Sequence, residues 1–258
     1  MHIEIYTADV RELDDPELFR CLYSRVSSDR KAKTDRMVFN KDKKLSLGAG
    51  ALLEYVLASH GVTDLTFTTE HNKKPRLAND DGIKFNISHS GTKVICAVSD
   101  NDIGCDVEQI TDIDMEIAKR FFFAEEYQAL MKCADRAERN ELFFRYWTLK
   151  ESFMKATGLG FRLELDDFCI LLDKNDISVR HTVDSRKYSF REFFLNDGYR
   201  YAVCSADKTD IPENLIICSF KSLLHDVVFC SQQAKEIKNI IKEDNKNEFI
   251  DNQSLSDV

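Results

Sequence analysis

From Ile103 to Glu108 the chain reads Ile-Gly-Cys-Asp-Val-Glu. Successive side chains of a strand point to opposite faces. Ile103, Cys105 and Val107 therefore share a face that can pack on a core, while Asp106 and Glu108 share the other. Two carboxylates held at i and i+2 repel unless a cation lies between them or one is protonated. An Mg²⁺ ion with oxygen ligands meets that need; a half-exposed strand with solvated acids would read the same.

The rest of the chain reads as a mixture of strands and helices and predicts an α+β fold. Strands are expected at 2–8, 65–69, 84–88, 93–99 and 103–110, and again in the runs FCILL, ISVRHTV, YSFREFFL, YRYAVCSA and LIICSF between 161 and 220. Helical periodicity covers 29–59, about 114–132 and about 136–157, the last stopped by Gly158 and Gly160. The tail after about 222 begins helical and turns polar, as a frayed end would. GTKVICAVSD at 91–100 and GYRYAVCSAD at 198–207 share a glycine, a basic residue two later, an apolar run and a closing Asp. If they are an internal repeat, two similar α+β halves are related by a pseudo-two-fold with a site between them.

Composition narrows the class. With 258 residues, 43% hydrophobic and 31% charged, the chain has the balance of a globular protein. The absence of any apolar run near 18 residues excludes an ordinary membrane span, and MHIEIYTADV lacks the basic-then-apolar order of a secretory leader. The eight cysteines form no CxxC pair, and several lie in apolar runs, which predicts reduced thiols in a cytoplasmic protein. A net charge of −9 argues against generic nucleic-acid binding. The charge is uneven: Arg25 to Lys44 carries eight bases and three acids, and Asp100 to Glu116 seven acids and no Lys or Arg. The first run suggests an anionic ligand and the second a hard cation, although two solvated faces would look alike.

On the helix at 136–157, Leu142, Tyr146, Leu149 and Phe153 form one apolar face at 100° per residue, and Phe144, Trp147, Glu151 and Lys155 form a stripe nearly opposite. A Glu and a Lys beside large aromatics read as a cleft wall, or as an i,i+4 surface pair. Phe85-Asn-Ile-Ser88-His89-Ser-Gly91 ends a strand in hydroxyls, a His and a Gly suited to phosphate oxygens. Gly48-Ala-Gly50 lacks the third glycine of a dinucleotide fingerprint, and no GxxxxGK[ST] loop exists.

FNISHSG, IGCDVE and FFRYWTLKESFMKATGLG, in this order and spacing, resemble the 4′-phosphopantetheinyl transferases of the surfactin-synthetase-activating type. The likeness runs from the first strand to about Leu224. It implies two α+β halves related by a pseudo-two-fold, at 1–102 and 103–224, with coenzyme A between them and a polar tail at 225–258. It also implies Mg²⁺-dependent transfer of phosphopantetheine from coenzyme A to a serine of an apo acyl or peptidyl carrier protein, releasing adenosine 3′,5′-bisphosphate. Asp106, Glu108 and Glu151 would hold Mg²⁺, with Glu151 as base. Lys150 and Lys155 would contact phosphates, and Arg30, Lys33 and His89 would lie near the 3′-phosphate. Ser46, Lys74, Pro75 and Ser88 would line the nucleotide. Relatives often carry a basic residue where this chain has Leu45, for which Lys43 or Lys44 could substitute. The chemistry agrees: phosphoryl transfer needs charge neutralisation, positioning and removal of the serine proton, and Lys155, one turn from Glu151, can offset charge on the leaving oxygen. An Mg²⁺-dependent hydrolase or a non-catalytic coenzyme A-binding module would use many of the same residues. A monomer is expected, with the carrier docking near Ile113, Met115, Phe121, Phe122 and Phe123.

Overall fold

The computed structural model describes residues 2–69, 74–79, 82–174, 176–207 and 210–226. The strand expected at 2–8 is β1 (Glu4–Asp9). Helix α1 (Pro16–Arg25) follows, unanticipated by the periodicity. Its signal was local: Asp15 caps the Glu17 and Leu18 amides and Pro16 occupies the first turn. The helical run at 29–59 is two helices, α2 (Ser28–Asp35) and α3 (Asn40–Ser59). They are separated by an elbow at which Phe39 is extended and Val38 and Phe39 are open to solvent.

Strands β2 (Phe67–Thr69) and β3 (Pro75–Leu77) form a small ribbon. The antiparallel β4 (Lys84–Ser90) and β5 (Lys93–Ser99) turn at Gly91, whose φ is +56°. Next comes β6 (Ile103–Gln109). The single helix expected at 114–132 is instead α4 (Met115–Phe121) and α5 (Ala124–Met131). The break arises because Phe122 turns into the core and Glu126 accepts the Phe123 amide at 2.9 Å, starting a new helix. Helix α6 (Arg136–Thr157) matches its expectation and ends on left-handed Gly158. There follow β7 (Cys169–Leu172), β8 (Ile177–Arg180), β9 (Tyr188–Phe193), β10 (Tyr199–Ala206), β11 (Ile216–Cys218) and α7 (Phe220–His225). The tail from 227 lies outside the described residues.

Two sheets carry this mixed α+β fold. One has the order β11-β1-β5-β4 and the other β6-β10-β9. Strand β11 is parallel to β1, so the chain returns to the first sheet after building the second, and α7 packs on α1. Helix α3 covers the first sheet around Leu47, Leu52 and Val56, and α6 covers the second around Leu149 and Phe153. A third apolar cluster joins the sheets. Ile5, Ile95 and Ala97 of the first meet Ile103, Cys105 and Val107 of the second, which confirms the apolar face read from the alternation.

The sheets meet edge to edge along β4 and β6 through side-chain rungs. Asn86 Oδ1 accepts the Cys105 amide at 2.8 Å. The Ser88 hydroxyl donates to Asp106 at 2.7 Å and that of Ser90 to Glu108 at 2.6 Å. Asn86, Ser88 and Ser90 alternate along β4, so one polar face of that strand splices the sheets. The seven described cysteines are free, and among the described residues no helix is long and apolar enough to cross a membrane.

Candidate active site

The site forms where α6 touches β6. A Cβ on Gly104 would stand 2.0 Å from the Ser152 carbonyl oxygen and 2.5 Å from the Ala156 nitrogen, so a glycine is required for this contact. The close approach brings Lys155 of α6 onto Asp106 of β6, with Nζ 2.6 Å from Oδ1. Lys155 also donates to the Ser88 hydroxyl at 3.0 Å. Burial opposes the Lys155 charge, but the Asp106 carboxylate outweighs it and lifts the lysine above its ordinary value. The second oxygen of Asp106, Oδ2, is buried with no hydrogen-bond partner among the described residues. Burial and then the charge of Asp106 push Glu108 up to about 7, against the Ser90 hydrogen bond. Glu151 is also raised, by burial first and by Asp106, with Lys155 opposing. Three carboxylates thus act on one another across the β6–α6 contact.

An oxygen-rich donor set of this kind suits a hard divalent cation. The orphaned Asp106 Oδ2 and the mutual repulsion of Asp106, Glu108 and Glu151 fit a cation held there. As the side chains stand, no three His, Cys, Asp or Glu groups among the described residues enclose one point. Lys155 sits on Asp106 instead and neutralises part of the cluster.

A cationic patch adjoins the carboxylates. His89, on the face of β4 opposite the rungs, keeps its side chain open to solvent and is lowered by partial desolvation and then by the charges of Lys33, Lys155 and Arg30. Lys33, exposed on α2, is lowered by partial desolvation and by Arg30 and Arg36. The expected 3′-phosphate residues Arg30, Lys33 and His89 therefore come together, and Lys155 links them to the carboxylates. Ser46 lies beneath them: its side chain is buried against the Thr34 hydroxyl at 3.3 Å, and its carbonyl accepts from Arg30 at 3.2 Å. Leu45 packs against the first core and Lys44 pairs with Asp14, so Lys44 is engaged away from the patch.

Lys74 and Pro75 line a cleft with Thr68, Phe85 and Asp102. The Lys74 ammonium donates to the carbonyls of Ile103 at 3.0 Å and Lys155 at 2.6 Å, tying the cleft wall to β6 and the end of α6. Burial, against the pull of Asp102, brings Lys74 down to about 8.

Lys150 is a correction. Its ammonium is fully buried, 2.7 Å from Glu126 and 2.8 Å from the Phe168 carbonyl, with the Phe168 ring beneath it. It faces the core, away from the cleft, and its placement does not support the expected phosphate contact. Among the apolar residues expected to dock a partner, Phe122 is likewise core, stacked on Phe143 with centroids 5.1 Å apart. Phe121 is exposed, and Ile113, Met115 and Phe123 are half-buried. Gly104 was not singled out, nor was the bridging role of Asn86 and of Ser90, the latter read among the hydroxyls suited to phosphate oxygens. The i, i+2, i+4 spacing of Asn86, Ser88 and Ser90 was the signal that could have found the last two.

Comparison with known proteins identifies the family. Residues 15–101 match the family model described as 4′-phosphopantetheinyl transferase, N-terminal, and residues 102–204 that of the 4′-phosphopantetheinyl transferase superfamily. The chain is 33% identical over 205 residues to 4′-phosphopantetheinyl transferase Sfp of Bacillus subtilis, covering 78% of this chain and 91% of that protein. It is 36% identical over 204 residues to 4′-phosphopantetheinyl transferase HetI of a Nostoc species, covering 75% and 84%. Among solved structures, the holo-acyl-carrier-protein synthase of Thermotoga maritima aligns with 42% of this chain and 63% of its own at a TM-score of 0.36 and 19% identity. Two family models side by side, and a relative matched over nine-tenths of its length, place this chain among the Sfp-type 4′-phosphopantetheinyl transferases.

Proposed function

We propose that this transferase takes phosphopantetheine from coenzyme A and places it on a serine of an apo acyl or peptidyl carrier protein. The observation that carries the reading is the junction of two unlike charge clusters. Asp106, Glu108 and Glu151 meet Arg30, Lys33 and His89 through Lys155, which acts on both. Coenzyme A asks for such a junction, because it carries a pyrophosphate that contains the reacting bond and a separate 3′-phosphate.

Glu151, raised by burial, accepts the proton of the carrier serine. The serine oxygen forms a bond to the phosphopantetheine phosphorus. The bond from that phosphorus to the bridging pyrophosphate oxygen breaks, and its electron pair leaves with adenosine 3′,5′-bisphosphate. Lys155 neutralises charge developing on that oxygen. Arg30, Lys33 and His89 hold the 3′-phosphate, and the Lys74–Pro75 cleft takes the nucleotide. Asp106, Glu108 and Glu151 would hold Mg²⁺, which when bound supplies charge neutralisation on the pyrophosphate. The carrier docks beside α4 and α5, where Phe121 is open to solvent. The protein acts as a cytoplasmic monomer.

A division near residue 102 into two halves related by a pseudo-two-fold is part of the same proposal. It is supported by β5 and β10, the two strands of the sequence echo. Each is an interior strand, follows a left-handed glycine (Gly91 and Gly198) and lies under a long helix. Intact-mass measurement of an apo carrier incubated with the enzyme, coenzyme A and Mg²⁺ tests the function. A gain of one phosphopantetheine on the carrier is expected. Free phosphopantetheine with an unchanged carrier would mean that water is the nucleophile and the protein a hydrolase.

A further inference from the structure

We propose that Gly50 and Glu54 of α3 form a seat that holds the Arg30 guanidinium ready for the 3′-phosphate. The inference rests on the reading that Arg30 contacts that phosphate. Ser46, Gly50 and Glu54 are spaced by four residues and share one face of α3. Arg30 reaches from α2 across all three. Its Nη1 donates to the Ser46 carbonyl at 3.2 Å. Its stem crosses Gly50 so closely that a Cβ there would stand 1.9 Å from Nε and 2.2 Å from Cδ. Glu54, only 4% exposed, lies at the far end of the stripe. It accepts the Ser27 amide at 2.9 Å and the Ser27 hydroxyl at 2.7 Å. Ser27 caps α2 and receives the Arg30 amide at 3.3 Å, so Glu54 holds the start of the helix from which Arg30 reaches, and its charge attracts that of Arg30.

No helix geometry demands glycine at position 50. Gly50 has no left-handed φ, and glycine weakens a helix interior relative to alanine. Its local effect is to clear space for the arginine. A seated guanidinium has already lost the side-chain freedom that an unrestrained arginine would lose on meeting phosphate. Glu54 offsets part of the positive charge until an anion arrives, which favours the ordered rotamer over a solvated one.

Gly50→Ala separates this role from a merely structural one. The obstructing atoms belong to a flexible side chain, so the fold is retained and the thermal midpoint is expected to stay level or rise. The KM for coenzyme A is expected to rise about tenfold, the order lost when one charge-assisted contact is misplaced. The kcat at saturating coenzyme A and the KM for dephospho-coenzyme A should stay within about twofold. Gly50→Ala should add nothing in an Arg30→Ala background. The Arg30 Nε–H resonance, expected to be sharp in the wild type, should broaden or vanish. Glu54→Gln keeps an acceptor for Ser27 and removes the charge, so it should raise the same KM about threefold, a share of one contact. If Arg30→Ala impairs coenzyme A but not dephospho-coenzyme A while Gly50→Ala changes neither KM nor the Arg30 resonance, the seat is refuted and the phosphate assignment survives. If Arg30→Ala impairs both substrates equally, the phosphate assignment falls and the seat loses its purpose with it.

Discussion

Lys150 and Lys155 stand five residues apart on α6 and each grips a carboxylate, at 2.7 Å to Glu126 and 2.6 Å to Asp106. At 100° per residue they lie about 140° apart around the helix, so one faces the core and the other the cleft. The Lys150 pair is closed. Its lysine also meets the Phe168 carbonyl, and Glu126 accepts the amides of Ile170 and Phe123. The Lys155 pair is open. Lys155 keeps 26% of its side chain exposed, and Asp106 retains a buried oxygen without a partner among the described residues. Two ion pairs of nearly equal length thus differ in what remains unsatisfied. The saturated pair fixes α5 and β7 against α6; the unsaturated one, at the mouth of a cleft, has capacity left for a ligand.

The largest effect should come from breaking the closed pair. Lys150→Met leaves Glu126 buried without its cation, and loss of one partner of a buried pair costs about 3–5 kcal/mol. Urea unfolding should show that loss, and Lys150→Met with Glu126→Gln, which removes the buried charge and keeps an acceptor for the backbone amides, should restore part of it. A destabilisation below about 1 kcal/mol joined to a hundredfold drop in transfer would put Lys150 back in the site and end the contrast. On the open side the sign pattern reverses. Glu151→Gln should lower kcat about a hundredfold, in line with general-base contributions, while shifting the urea midpoint little. Activity within about threefold of wild type would move the base elsewhere. Lys155→Met should also cost transfer far more than stability, since its ammonium is partly solvated and its partner has hydroxyl support from Ser88.

A smaller effect separates neighbouring phenylalanines in the same way. Phe121 is 40% exposed and Phe122 lies in the core. Phe121→Asp should weaken carrier binding about tenfold, the loss of one apolar anchor, and leave the KM for coenzyme A unchanged. Titration calorimetry with an apo carrier reads this directly. Equal carrier affinity in a folded Phe121→Asp protein would move the docking surface away from α4.

These contrasts also show how far the sequence could be read. The alternation at 103–108 and the periodicity at 136–157 identified β6 and α6, because both elements are half-buried and burial imposes the pattern. The carboxylates and Lys155 were legible for the same reason: they occupy the polar side of a patterned element. Lys150 was not, since its partner Glu126 comes from a helix 24 residues upstream and the pairing is purely tertiary. Periodicity also ran through two breaks. The elbow at Val38-Phe39 and the turn at Phe122-Phe123 are apolar, and neither carries the Gly or Pro that usually marks an interruption. Gly50 failed as part of a nucleotide fingerprint, yet its spacing from Ser46 and Glu54 placed all three on the face that α2 crosses.

A third ion pair calibrates the comparison and carries the smallest effect. Asp9 meets Lys93 at 3.2 Å, and Lys93 reaches Asp197, just before β10, at 3.2 Å, so the network ties the two sheets together near solvent. Burial would raise Asp9, but hydrogen bonds from the Arg11 side chain and amide and from Lys93 overcome it and hold the group down to about 2, against an ordinary 3.8. A carboxyl whose folded value is depressed adds stability above its unfolded value and loses it as pH falls toward the folded one. The contribution of Asp9 is therefore whole above about pH 4 and fades between there and about pH 2. Asp9→Asn should be less stable than wild type by about 1 kcal/mol at pH 7, as partly exposed pairs usually are. The gap should hold to about pH 4, close on further acidification and shrink in molar salt. Urea titrations of both proteins at stepped pH would show it. A gap that widens in acid would mean that Asp9 contributes as a protonated group, and that the sheets are joined there by neutral hydrogen bonds instead of charge.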